Sequence, residues 1–154
     1  MTHALLFLHL VSAFVFVAGT VAAGISQMTA LRRERPSEVA LLLHTARIAV
    51  AFTVIGALGS LVFGLALVGH LDIGFGTGWV SAAIALWVVA MALGGAGGRT
   101  ARHARYLAER LAREGDQPNE ELRNLVAHRP SLLLSYAATA AIVAILVLMV
   151  WQPS

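Results

Sequence analysis

The chain has 154 residues, 58% hydrophobic and only 12% charged, with a formal net charge of +3 at pH 7 and no cysteine. That leaves too little polar surface to cover a soluble core, and it excludes disulfides, thiolate metal sites and thiol nucleophiles. All 11 cations are Arg and lie between apolar runs, with no aromatic stacking array beside them, so nucleic acid is excluded as a partner despite a pI near 10.6. The positive charge reads instead as a topology signal and an attraction for anionic lipid headgroups.

In chain order, four apolar stretches occupy residues 4–28, 48–68, 78–98 and 131–151. Each has the ~20 residues needed to cross a hydrocarbon core ~30 Å thick. They must be helices, because an open strand leaves backbone groups unsatisfied in lipid. No basic residue precedes the first stretch, and it is long enough to span, so it reads as a helix of the protein and not as a signal peptide. The expected fold is all-α: one domain over residues 1–154, an integral membrane four-helix bundle with a short cytoplasmic helical hairpin at about 99–130 between helices three and four. Four Arg (32, 33, 35, 47) fall between spans one and two, and seven (99, 102, 105, 110, 113, 123, 129) between spans three and four. The positive-inside rule then makes both Arg-rich loops cytoplasmic and puts both termini outside.

Local signals refine the elements. Pro36-Ser37-Glu38 predicts the start of helix two, with Ser37 as N-cap. Gly56, Ser60 and Gly64, with Gly59 beside them, form a small-residue ridge, and Gly19 and Ala23 offer the same spacing on helix one. Such ridges let backbones approach closely, here within the bundle or across a homodimer seam. Gly94 to Gly98 lacks the Lys-Ser/Thr ending and the preceding strand of a phosphate loop, and reads as a helix weak point or a close-contact segment. Past the third span, Ala104, Leu107, Ala108 and Leu111 share one face, while Arg105, Glu109 and Arg113 are i,i+4 neighbours on another. Gly115 to Pro118 ends that helix, Asn119 starts a short one, and Pro130 is expected to break it.

Chemistry-bearing residues are few. No catalytic motif is visible, and no Asp, Glu, Lys or Arg lies deep in a span, which argues against a carrier. His9 is the exception, about two turns into span one. Ser12, Phe16, Thr20 and Gln27 continue along its side, which is expected to face the bundle. It is either a hydrogen-bonded neutral imidazole or an axial haem or metal ligand. His3, His70 and Asp72 lie near its level, so His9 with His70 is the candidate pair for haem b or copper. His44, His103 and His128 sit on the Arg side, where headgroup contact or interhelical bonding is the expected role. Trp79 and Trp151 read as interface anchors and Trp87 as packing.

The Leu8-His9-Leu10 span, the Arg-rich turn, Gly56 and Gly59, and the closing Leu148-Met149-Val150-Trp151-Gln152-Pro153 together resemble a family of small bacterial four-span predicted integral membrane proteins. That group is similar to copper-resistance D-type and HemJ-type bundles. The likeness to HemJ implies a first-span haem ligand, which falls on His9, in proteins acting in protoporphyrinogen oxidation. HemJ proteins also rely on an intramembrane Lys, and this chain has no Lys, so that activity does not carry over. Nor do its four Met form the cluster that copper handling would imply. The expected function is a non-enzymatic accessory or interaction subunit of a membrane complex. The alternatives are a haem- or metal-binding redox protein using His9 with His70, and a small transporter.

Overall fold

The computed structural model describes residues 2–71 and 77–151. Among the described residues five helices follow one another: α1 (Thr2–Ala30), α2 (Pro36–His70), α3 (Gly78–Arg113), α4 (Glu120–Val126) and α5 (Arg129–Trp151). The bundle is all-α, with four helices long and apolar enough to cross a membrane. At ~1.5 Å per residue the 36 residues of α3 run to ~54 Å, so its Arg-bearing end extends well past a ~30 Å hydrocarbon layer.

The most extensive seam joins α1 to α2, and its glycines explain why. A Cβ placed on Gly19 would lie 2.7 Å from Thr53 N and 2.8 Å from Ala49 O. One on Gly56 would collide with the backbone of Phe16 and lie 2.8 Å from Ser12 O, and one on Gly59 would stand 2.6 Å from Ser12 Oγ. The small-residue ridge is therefore consumed inside the chain. The predicted interior stripe of α1 faces it, with Phe16 buried and Ser12 and Thr20 half-buried.

A second seam joins α3 to α5. The Ser131 hydroxyl donates to Gly97 O at 2.7 Å, and a Cβ on Gly97 would meet Ser131 O at 3.2 Å. Close contact at the glycine-rich segment is thus confined to Gly97; Gly94, Gly95 and Gly98 face open space, and α3 runs through all of them unbroken. The expected helix weak point is not present, because the i→i−4 ladder continues. The two seams are joined between α2 and α3, where Trp87 Nε1–H donates to Ala57 O at 3.2 Å. Phe16, Ala57, Ala90, Ala141 and Ile142 form the shared core at mid-bundle. Beyond that core, α1 and α5 scarcely approach one another.

The Arg-rich end has its own core. Ala30 of α1, Val39 and Leu43 of α2, Ala104 and Ala108 of α3, and Leu122 and Val126 of α4 are buried together. The α3–α4 turn is built on positive φ at Gly115 (128°) and Asp116 (54°). This conformation carries Asp116 to the start of α2, where its Oδ1 accepts the Ser37 N–H at 2.7 Å and its Oδ2 the Ser37 hydroxyl at 2.7 Å. Ser37 is therefore not the N-cap. Arg35 holds that position without a side-chain bond, Pro36 opens the helix, and a carboxylate 79 positions downstream satisfies the orphan donor. Asn119 does cap α4, its Oδ1 accepting from Leu122 N at 3.1 Å. Pro130 breaks nothing: α4 has ended at Val126, and Pro130 lies in the first turn of α5, where a missing N–H leaves no helix bond unmade. Arg105 is buried against Glu109 at 2.6 Å and lies 4.5 Å over the Tyr106 ring.

Gly56→Ala is expected to lower stability by about 2 kcal/mol, because backbone cannot yield to the new methyl, whereas Gly94→Ala is neutral or slightly stabilising. Thermal unfolding in detergent checks this, and equal melting temperatures would contradict the seam. The Asp116 carboxyl is held below its ordinary value, first by the Ser37 hydroxyl and then by the Ser37 N–H, which outweigh desolvation, with the Arg35 charge adding to them. A depressed folded pKa gives stability that is complete above the unfolded value and lost as pH falls through the folded one. Asp116→Ala should therefore speed proteolysis of the α1–α2 turn at neutral pH, and the wild-type advantage should fade only in strong acid. Equal cleavage rates at neutral pH would show that the clip holds nothing.

Candidate functional site

Because residues 9, 12, 16 and 19 share one stripe of α1, the seam that buries Phe16 and Gly19 also turns His9 toward α2. Its Nδ1 lies 2.9 Å from Ser60 O. Gly64, one turn on, makes room for the ring: a Cβ there would be 3.0 Å from His9 Cε1 and 3.1 Å from Nδ1. A carbonyl oxygen only accepts, so Nδ1 carries the hydrogen, and in the neutral ring Nε2 is left as a lone-pair nitrogen. Among the described residues no buried side-chain nitrogen or oxygen lacks a partner, and no hydrogen bond engages Nε2, so that atom is open rather than sealed in. A donor bond to a backbone carbonyl on one nitrogen is also what orients a ligating histidine.

His9 lines a cavity of about 420 Å³ in the half of the bundle remote from the Arg-rich lobe. All four spans contribute. Phe16 and Ile142, members of the mid-bundle core, close its floor, while Trp79 and Trp87 supply aromatic wall. The remaining lining is almost entirely aliphatic, and among the described residues His9 is its one titratable side chain. A single open imidazole nitrogen on an apolar cavity can accept one hydrogen bond or coordinate one metal centre.

The other predicted site residues go elsewhere. His70 is exposed at the last position of α2, outside the cavity lining, and the ten residues from Ser60 place it ~15 Å farther along that helix. The structure therefore does not bring His9 and His70 together as a pair. His3 and His44 are exposed. His103 is exposed too, its Nδ1 3.1 Å from Arg99 O of its own helix. His128 precedes α5, and its Nδ1 accepts the Ser131 N–H at 3.4 Å, which makes it a helix cap. Asp72 lies outside the described residues. No group of three or more His, Asp or Glu suited to a metal ion occurs among the described residues.

At the opposite end, a smaller cleft of about 190 Å³ lies between the α1–α2 turn and α4, with Arg33, Glu34, Asn119 and Arg123 on its rim. Its cations are paired locally, Arg33 with Glu38 at 3.4 Å and Arg123 with Glu120 at 3.5 Å. Sequence reasoning found His9 but missed Ser60 O and Gly64 as its seat. The signal was present in the small-residue ridge, since a ridge that admits the α1 backbone also admits an imidazole.

Four membrane-length apolar helices, packed through glycines and enclosing an apolar cavity, define a multi-pass integral membrane protein. More particularly, the chain belongs to the family described as predicted integral membrane protein (DUF2269), whose model matches residues 3–153. A search of the curated proteins and of the solved structures finds no match to the chain. The likeness to copper-resistance D-type and HemJ-type bundles gains no support from these comparisons.

Proposed function

We propose that the protein is a non-enzymatic membrane binding protein that holds a largely apolar cofactor or ligand in its distal cavity through His9. The observation that carries this reading is the Nδ1–H bond to Ser60 O, which leaves Nε2 as the open nitrogen of an otherwise apolar cavity. Haem b suits both features: imidazole is an axial ligand, and apolar side chains and indole rings are fitting walls for a porphyrin. In that role His9 would hold the iron, Trp87 and Phe16 would flank the macrocycle, and the haem would supply one-electron transfer. A bare copper ion fits less well, since His9 has no clustered donors beside it among the described residues.

An accessory role in a larger membrane complex is the second reading. It is favoured by apolar flanks such as Phe14, which is 75% exposed and would receive a partner helix as readily as lipid. We also assign the Arg-rich lobe to the cytoplasmic face of a bacterial inner membrane, where its guanidinium groups meet anionic headgroups, and both termini to the outer face.

Purified from cells supplied with haem precursor, the protein is expected to show a Soret band that disappears in His9→Ala, while both proteins keep the same helical circular dichroism. A colourless wild type, or a band indifferent to His9, would overturn the haem assignment. For the orientation, protease added to inverted vesicles should cut the α3–α4 turn that intact spheroplasts protect; the reverse pattern would invert the topology.

A further inference from the structure

Leu6 and Leu10 on α1 and Leu146 and Val150 on α5 line the cavity and are themselves exposed. These two spans scarcely approach each other, whereas α1–α2, α2–α3 and α3–α5 pack along one another. Once the bundle is in a bilayer, the gap between α1 and α5 faces lipid, at the depth of the cavity and of His9. We infer that the cavity is loaded sideways from the membrane through this gap, so that its ligand is a membrane-dissolved lipophile carrying one group that His9 Nε2 accepts a hydrogen bond from or ligates.

Two observations on the molecule support that class. The gap is flanked by aliphatic side chains on both helices, so a hydrated solute would shed its water at the threshold with nothing to replace it. A lipophile pays no such penalty, since the threshold is as apolar as the lipid it leaves. Inside, one open nitrogen gives one point of recognition, enough to orient a molecule whose remaining surface is apolar.

This inference rests on the reading of the cavity as a binding site, and its test does not use His9. The chain has no cysteine, so Leu10→Cys with Leu146→Cys introduces a unique thiol pair across the gap. Trp79→Phe and Trp151→Phe leave Trp87, on the cavity wall, as the sole indole. In vesicles, a fatty acid brominated in mid-chain should quench Trp87 strongly. Bridging the two thiols with a reducible bismaleimide should cut that quenching several-fold, and reduction of the bridge should restore it in the same sample. Aqueous iodide should leave Trp87 unquenched throughout, and the Leu10→Cys single variant treated with the same reagent should behave like the unbridged protein. Quenching that ignores the bridge, or iodide that quenches as well as the brominated acid, would overturn sideways loading. The binding reading fails separately, when His9→Ala leaves ligand binding unchanged.

Discussion

The close approach of α1 to α2 is the constraint on which the rest of the molecule depends. In lipid there is no hydrophobic force to drive helices together, because acyl chains are as apolar as leucine; association comes from van der Waals contact and interhelical hydrogen bonds. Gly19, Gly56 and Gly59 supply the contact by letting backbone meet backbone. That approach brings His9 within hydrogen-bonding distance of Ser60 O, and Gly64 keeps the space in which the ring lies. Beside that tight seam the four spans leave the cavity that His9 lines.

The two ends of the bundle solve different problems. The distal half is apolar and holds His9, a polar group that needs a place. The Arg-rich half is closed by a small aliphatic core and by polar ties that water can also reach. Among these, the Asp116 clip is an end-to-end tie: it fastens the α3–α4 turn to the first turn of α2, using a donor that the helix cannot satisfy by itself. Together with the α4 contact it gives the lobe a defined shape beyond the bilayer.

The helical class and the membrane setting were legible because lipid reduces the alternatives to one: a long uncharged run is a helix. The packing role of the small-residue ridge was legible for a similar reason, since its spacing matches one helix face. Other features were not. Ser37 looks like a cap from its neighbours, yet the group that satisfies the turn is 79 residues away, and no local pattern points to Asp116. The five-residue stretch from Gly94 reads as a weak point by composition, but only Gly97 meets a neighbour, and intact ladder bonds keep the helix continuous. His70 seemed to match His9 by depth, but His9 bonds at the level of Ser60, and ten helical residues carry His70 ~15 Å farther along α2. The cavity itself is a property of three seams and a gap, which no single segment encodes.

The most direct measurement of the account is the tautomer of His9. Nitrogen-15 spectra of the ligand-free protein, labelled at histidine and assigned by difference from His9→Leu, report which ring nitrogen is protonated. At mildly alkaline pH in vesicles, Nδ1 should carry the proton and couple to the Ser60 carbonyl, with Nε2 bare. A ring protonated at Nε2, with Nδ1 bare, would mean that the α1–α2 seam does not fix the imidazole and that the cavity has no open nitrogen to offer.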